Sequence, residues 1–529
     1  MNKLQRRKNP NNTNEKKSLK SCEKNENFEE KESLKSFTNQ NLLLSLLILF
    51  RIINALCTKT YFNPDEYWQS VEVGHYMIYA PRIFQAIFAA IGDLYTYRLA
   101  RKLFNDPTAN WTLFCSIISW FNFFCSIRTL SNSIETVLTI IALYYWPWPT
   151  FSNLISWNDR IKMLRVSLSL AAVCCILRPT NAIIWGFLGI HLLWKTKEHL
   201  TSIILNTLFI TILSILAMTL TDYTFYGEIV FVPMKFLYVN VVQSISLFYG
   251  SHPWHWYLSQ GIPFITTTLM PFVLKGIYDL INNRHLAHQQ SIKTLIWLMA
   301  FVIFCYSLLS HKEFRFIYPL LPIMIICAGY CLQDISLKYQ KKIRFVVIFL
   351  VLTNVPVAYY TNFVHQRGVV DVLNYLRNEA ELGKVREIGF LMPCHSTPYY
   401  SNLHFNISMF YLSCDPPLNR DQVNYVDEAD QFYANPHEFL IKNFHSISSS
   451  SEKSIDSKLR KWPNYLVIFE ALLNDLTPFL KDSNYKEFSD NVSFDDSLFD
   501  PPDNGDLFDS SNDDSSFGIF IPFNNDETT

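Results

Sequence analysis

The 529-residue chain is 49% hydrophobic and 16% aromatic but only 17% charged, well below the quarter or so usual for soluble proteins, which excludes a soluble multidomain enzyme. Its 45 basic and 46 acidic residues leave a net charge of −1, so no nucleic-acid partner is expected; the 28 Tyr and 42 Phe suggest a lipid-facing surface instead. The eleven cysteines make no CxxC pair and have no His at ligand spacing, so no metal site is expected. Only Cys394 and Cys414 lie near each other in a polar region, where a disulfide and two free thiols both remain open.

Residues 1–41 are Lys-, Asn- and Ser-rich without an apolar period, the composition of a disordered tail, here expected to be cytosolic. Eleven apolar segments follow, at 42–57, 83–100, 111–127, 134–148, 166–177, 182–194, 203–220, 262–281, 294–309, 316–331 and 345–360. Read as alternating crossings, they place five basic loops on one side: Arg101–Lys102, Arg160–Arg165, Lys195–Lys197, Arg284–Lys293 and Lys338–Arg344. The opposite face receives 58–82, 128–133, 178–181, 221–261, 310–315 and everything beyond 360. Residues 361–480 mix polar and apolar positions with no membrane-length run, which predicts a small folded domain. From 481 to 529 an acidic, Ser/Asn/Pro-rich stretch reads as a second disordered tail. Asn406 and Asn491 are sequons, open to glycosylation if that side is luminal.

The unusual residues cluster in the loops of that second face. Asp65 and Glu66 in F-N-P-D-E-Y-W-Q-S follow Pro64, and two acids there complement a helix N-terminus; at a membrane face a carboxylate also suits general-base work on a sugar hydroxyl. His311, Lys312, Glu313 and Arg315 crowd six positions between two apolar segments. Interfacial anchoring explains one such cation; a set of them also suits a lipid phosphate as it becomes a leaving group. Arg128 and Arg178 add cations at the same face. His252, Trp254 and His255 in Y-G-S-H-P-W-H-W-Y fit either an aromatic belt or sugar stacking.

N-P-D-E-Y-W-Q-S at 63–70 resembles the H-P-D-E-x-W-Q-S of the dolichyl-phosphate-mannose-dependent mannosyltransferases (glycosyltransferase family 22, GT-C type), and H-K-E-F-R-F at 311–316 resembles their H-K-E-x-R-F. R-T-L-S-N-S at 128, Y-G-S-H-P-W-H-W-Y at 249 and L-M-P-C-H-S-T-P-Y-Y at 391 are similar to strings of the branch that adds the third mannose in GPI-anchor assembly, and the last is the most discriminating from N-glycan relatives. The resemblance covers 42–480. It implies an all-α polytopic GT-C membrane domain at 42–360, with about eleven transmembrane helices, and a small luminal C-terminal domain at 361–480. It further implies an inverting α-1,2-mannosyltransferase of the endoplasmic reticulum membrane that uses dolichyl phosphate mannose, a GPI glycolipid precursor and no cofactor.

In that scheme Asp65 is the base, supported by Glu66, while His311, Lys312 and Arg315 contact phosphate, with Arg128, Arg178, His252, His255 and Trp254 also on the substrate side. Asn63 replaces the family's His, and G-H-Y-M-I-Y-A runs directly into P-R-I-F-Q-A without the family's Trp-Glu-Trp and Arg-Ser stretch, a gap that reads either as an impaired isoform or as an incompletely joined reading frame. The alternatives are an N-glycan-pathway mannosyltransferase and a non-enzymatic polytopic lipid transporter. Transporters often carry internal repeats, and none is present in the sequence.

Overall fold

The computed structural model describes residues 40–72, 80–148, 156–243, 245–284, 286, 288–417, 425–445, 459–481, 485–487 and 517–522. Nearly all of the leading tail and the sequon at Asn491 lie outside the described residues. Every one of the eleven apolar segments falls on helix, the form that satisfies backbone groups within a single segment where no water is available. Among the described residues, six helical stretches are long and apolar enough to cross a membrane: Gln40–Cys57, Lys197–Tyr226, Tyr257–Asn282, Gln289–Ser307, Phe314–Lys338 and Ile343–Glu381. The remaining segments lie on shorter or more charged helices, such as Ala80–Leu103, which carries Arg82, Asp93, Arg98, Arg101 and Lys102.

Phe314–Lys338 is the hub of this bundle and its most buried span. Two glycines let neighbours approach its backbone. A Cβ on Gly276 would sit 2.0 Å from the Cys327 carbonyl oxygen, and one on Gly329 would sit 2.7 Å from the Thr112 backbone nitrogen. Such small-residue crossings are how membrane helices gain contact where apolar burial offers no driving force. A buried polar network adds direction. Arg51 Nε donates to Asp93 Oδ2 at 2.7 Å, Ser116 Oγ and Asn122 Nδ2 donate to Asp93 Oδ1 at 2.7 and 3.1 Å, and Tyr318 OH donates to Asn122 Oδ1 at 2.8 Å. Five helical segments are thereby pinned to one another in register.

Beyond the last long helix, where the sequence predicts a small folded domain, the chain forms an α/β unit. Its five-stranded sheet has the order β2-β1-β3-β5-β4, with β1 Glu387–Phe390, β2 Ser408–Tyr411, β3 Tyr465–Phe469, β4 Tyr485–Glu487 and β5 Phe517–Pro522. The first three strands are parallel; β5 runs antiparallel to β3 and β4. In β3, Tyr465 and Val467 face the Gly368–Glu381 helix through Val372, Leu373 and Leu376, whereas Leu466 and Ile468 join Phe432, Phe439 and Leu476 on the other side. Alternate residues thus serve two cores, as a sheet covered on both faces requires. The boundary at 481 is also corrected: β4 and β5 lie within the stretch read as a disordered acidic tail, because the short apolar run F-G-I-F-I-P was outweighed by the surrounding aspartates.

The first loop is fastened to the C-terminal end of the last long helix, Ile343–Phe363. Lys59 N donates to Asn362 O at 2.9 Å, Thr60 Oγ1 to Thr361 O at 2.7 Å and Tyr61 N to Gln366 O at 3.1 Å.

Gly276→Ala should lower stability by about 1–3 kcal/mol, since a backbone carbonyl cannot rotate aside as a side chain can. Gly186, whose Cβ would meet nothing within 4 Å, serves as the control, with no loss expected for Gly186→Ala. Thermal unfolding midpoints of the two variants in one detergent check this contrast.

Candidate active site

The site grows from a tight turn. Asn63, in extended conformation, caps the short Pro64–Glu66 helix by accepting from Asp65 N at 2.9 Å, so the residue that departs from the family's His supplies an N-cap. On a helical turn consecutive side chains diverge by about 100°. Asp65 and Glu66 therefore point different ways and meet different surroundings.

Glu66 turns inward and is fully buried. Arg128 Nη1 donates to its Oε2 at 2.7 Å and Arg82 Nη2 to its Oε1 at 2.9 Å. Arg128, itself without exposed surface, also donates to Thr60 O, Thr60 Oγ1 and Phe124 O. Arg82 further donates to Tyr67 OH at 2.7 Å. The Glu66 backbone oxygen accepts from Ser70 Oγ and Thr129 Oγ1. Both carboxylate oxygens and the backbone oxygen of this residue are engaged.

Asp65 turns outward, with 29% of its side chain exposed, and its Oδ2 lies 2.5 Å from Arg315 Nη1. The other edge of that guanidinium grips Glu313, Nε to Oε2 at 2.5 Å and Nη2 to Oε1 at 2.8 Å. Glu313 also receives His311 Nε2 at 3.2 Å, while His311 Nδ1 faces Gly250 O at 3.2 Å. Burial alone would raise the Glu313 carboxyl, but His311 and Arg315 outweigh it and hold it down at about 2. The same carboxylate raises His311 against its own burial. Asp65, Arg315, Glu313 and His311 are thus one continuous chain of polar contacts.

The remaining sequence candidates divide sharply. Lys312 is buried, donating to His252 O at 3.0 Å and to Leu309 O, so it ties two loops and is not available to a phosphate. Arg178 is occupied by Glu135 at 3.2 Å and by Ser131 Oγ and Asn132 Oδ1. Arg128 is sealed as described, so all three cations are engaged by protein groups in this structure. His252 stacks on Trp256 with centroids 4.8 Å apart, and its N–H donates to Ser310 O. Trp254 and His255 are exposed on the outer side of that turn; the buried aromatic is Trp256 beneath Phe314. Asn406 is exposed just before β2.

The sequence reading missed Arg82, Glu72 and the contacts of the 391–401 segment. Arg82 had no local signal, since its partner lies sixteen residues away. Glu72 accepts from Tyr399 N at 2.6 Å and Ser401 N at 2.9 Å, and the only hint was the singled-out L-M-P-C-H-S-T-P-Y-Y string. Cys394 and Cys414 are joined as a disulfide.

This is a polytopic helical membrane protein whose loop ends converge on a carboxylate–arginine pair beneath an α/β domain. ArnT from Cupriavidus metallidurans, solved bound to undecaprenyl phosphate, shares its fold with a TM-score of 0.52 at 11% identity, covering 84% of this chain and 95% of that one. At the level of sequence, the Alg9-like mannosyltransferase family matches residues 42–80 and 75–404, and the chain belongs to that family. The two matched pieces overlap at 75–80. Mannosyltransferase APTG1 of Arabidopsis thaliana is 37% identical, covering 83% of this chain and 86% of its own length. GPI alpha-1,2-mannosyltransferase 3 of Homo sapiens is 36% identical, covering 84% and 82%.

Glu66→Gln should cost about 3–5 kcal/mol by leaving two buried guanidinium groups short of charge, and should reduce folded yield. Size-exclusion recovery in detergent, compared with Asp65→Asn, is the measurement; Asp65→Asn is expected to match wild type.

Proposed function

We propose that the chain transfers mannose from dolichyl phosphate mannose to the 2-hydroxyl of the second mannose of a GPI precursor, making the three-mannose glycolipid in the endoplasmic reticulum. The observation that carries the mechanism is the split fate of the two adjacent acids. Glu66 is closed off between Arg82 and Arg128, leaving Asp65 as the member with open surface. Asp65 then accepts the acceptor proton as the acceptor oxygen forms its bond to the anomeric carbon, and the bond from that carbon to the phosphate oxygen breaks with its electron pair going to dolichyl phosphate. The configuration inverts because attack and departure lie on opposite faces of the sugar. Arg315, next to the base, is the cation placed to favour the charge that develops on the leaving phosphate. The step as written calls for no metal or nucleotide.

The names of the relatives called GPI mannosyltransferase 3 or GPI alpha-1,2-mannosyltransferase 3 support the GPI acceptor over an N-glycan one. The eleven-crossing reading, with a cytosolic start and a luminal C-terminal domain, is supported by how residues of the 58–82, 128–133, 249–256 and 310–315 loops meet at one end of the bundle. The lipid that accumulates when the protein is lost tests the acceptor: a two-mannose GPI precursor is expected, and a truncated N-glycan donor would overturn it.

Asp65→Asn should lower mannose transfer in microsomes by roughly 10²–10⁴-fold with the protein still inserted, because the amide keeps the shape but cannot take the proton. Arg315→Lys keeps the charge but loses the fork that spans Asp65 and Glu313, so the maximal rate should fall more than donor affinity. Titration with dolichyl phosphate mannose separates the two, and a wild-type rate at every donor level would remove Arg315 from the step.

A further inference from the structure

The α/β domain lends one loop to this site. After β1 the chain crosses over residues 61–72 and is held there at several points. Tyr61 OH donates to His395 O at 2.6 Å and Trp68 Nε1 to Thr397 O at 3.1 Å. Glu72 gathers Tyr399 N, Ser401 N and Ser401 Oγ at the start of the Tyr400–Leu403 helix. The Cys394–Cys414 disulfide ties the same loop to the stretch just past β2. These clamps come from both sides of a seam and immobilise a loop beside Asp65 that the mechanism above does not use.

His395 is the residue they present. Its backbone is left-handed, with φ +60°, a region a non-glycine residue occupies only when its surroundings enforce it. The ring meets Trp68 edge-on with centroids 4.3 Å apart and lies 5.6 Å from Tyr411, which in turn stands 5.3 Å from Trp68. Its Nδ1 is 3.1 Å from Cys394 Sγ. A disulfide sulfur has no hydrogen to give, so the ring proton belongs on Nδ1, and Nε2 is left an acceptor with no hydrogen-bond partner among the described residues. Burial lowers the basicity of the ring, against the opposing pull of Asp415 and Asp65, which keeps it neutral near pH 7. The proximity of Cys394, His395 and Cys414 invites a metal reading, but the two sulfurs are spent on each other.

We propose that His395 is an acceptor-binding residue: with Trp68 and Tyr411 it forms a subsite for the sugar that carries the hydroxyl to be mannosylated, and its Nε2 accepts a hydrogen bond from another hydroxyl of that sugar. Aromatic rings offer apolar faces to sugar C–H groups, and one bare acceptor among them fixes the sugar's rotation. The subsite rests on the sugar acceptor of the proposed function. It deepens that reading by placing acceptor selection on the α/β domain.

The test uses the full-length enzyme with His395→Asn and His395→Gly, both compatible with a left-handed backbone, so that loss of the ring is not confounded with strain. Initial rates are measured against the two-mannose glycolipid at saturating donor, and then against dolichyl phosphate mannose at fixed acceptor. Both variants should raise the acceptor KM about tenfold, the size of one lost hydrogen bond, with the donor KM within about twofold of wild type. Thiol labelling should show the Cys394–Cys414 bond intact. An unchanged acceptor KM in both variants, or an equal rise in donor KM, overturns the subsite while wild-type transfer stands. A wild-type enzyme that fails to mannosylate the two-mannose glycolipid overturns the acceptor reading and the subsite with it.

Discussion

Two arginines converge on one carboxylate that has no contact with solvent, and the geometry of the site follows from that triad. Removing Glu66, Arg128 and most of Arg82 from water costs several kcal/mol per ion, which close pairing at 2.7 and 2.9 Å offsets only while the three stay together. The chain positions leave little freedom. Glu66 sits on the first loop, Arg82 at the start of the next long helix and Arg128 in the loop after Trp120–Cys125, so the triad locks three separate stretches around one point. Since Asp65 precedes Glu66 on the same helical turn, burying one acid directs the other outward.

The bundle beneath supplies the second half of the site through a different interaction. Arg315 begins the most buried span, whose height is set by backbone contact at Gly276 and Gly329 and by the hydrogen bond from Tyr318 to Asn122. Asn122 in turn shares Asp93 with Arg51, so the position of Arg315 is fixed through a polar chain extending to the first helix. Apolar packing alone would leave such helices free to slide; directional bonds inside a membrane do not tolerate a slip of one residue.

The eleven apolar segments were legible because hydropathy is a local property and helix is the structure it requires in lipid. The Asp65 loop and the 311–315 cluster were legible as chemistry too dense for chance. What the sequence could not show was which cations are already taken. Lys312, Arg128 and Arg178 look alike as letters, and only the fold reveals that backbone carbonyls and buried acids occupy them. Trp254 and Trp256 illustrate the same limit, since two residues of spacing separate an exposed ring from a buried one. The strand Phe517–Pro522 is not legible because its partners, β3 and β4, lie tens of residues upstream and composition averages over the acids between.

On the proposed mechanism, in which Asp65 is the base, the pairing of Arg315 with two carboxylates has a consequence. When Asp65 takes up a proton it ceases to balance the arginine 2.5 Å away, and an arginine with one partner would then be a buried, uncompensated cation. Glu313 prevents this. Its carboxylate stays ionised throughout, held down at about 2 by His311 and Arg315, and it keeps two bonds to the guanidinium whatever the state of Asp65. The arginine is therefore anchored by one acid and shared with the other, so its free charge rises at the moment Asp65 is neutralised. On the proposed mechanism that is also the moment the leaving phosphate acquires its second negative charge, and the cation turns toward the new anion without leaving its anchor.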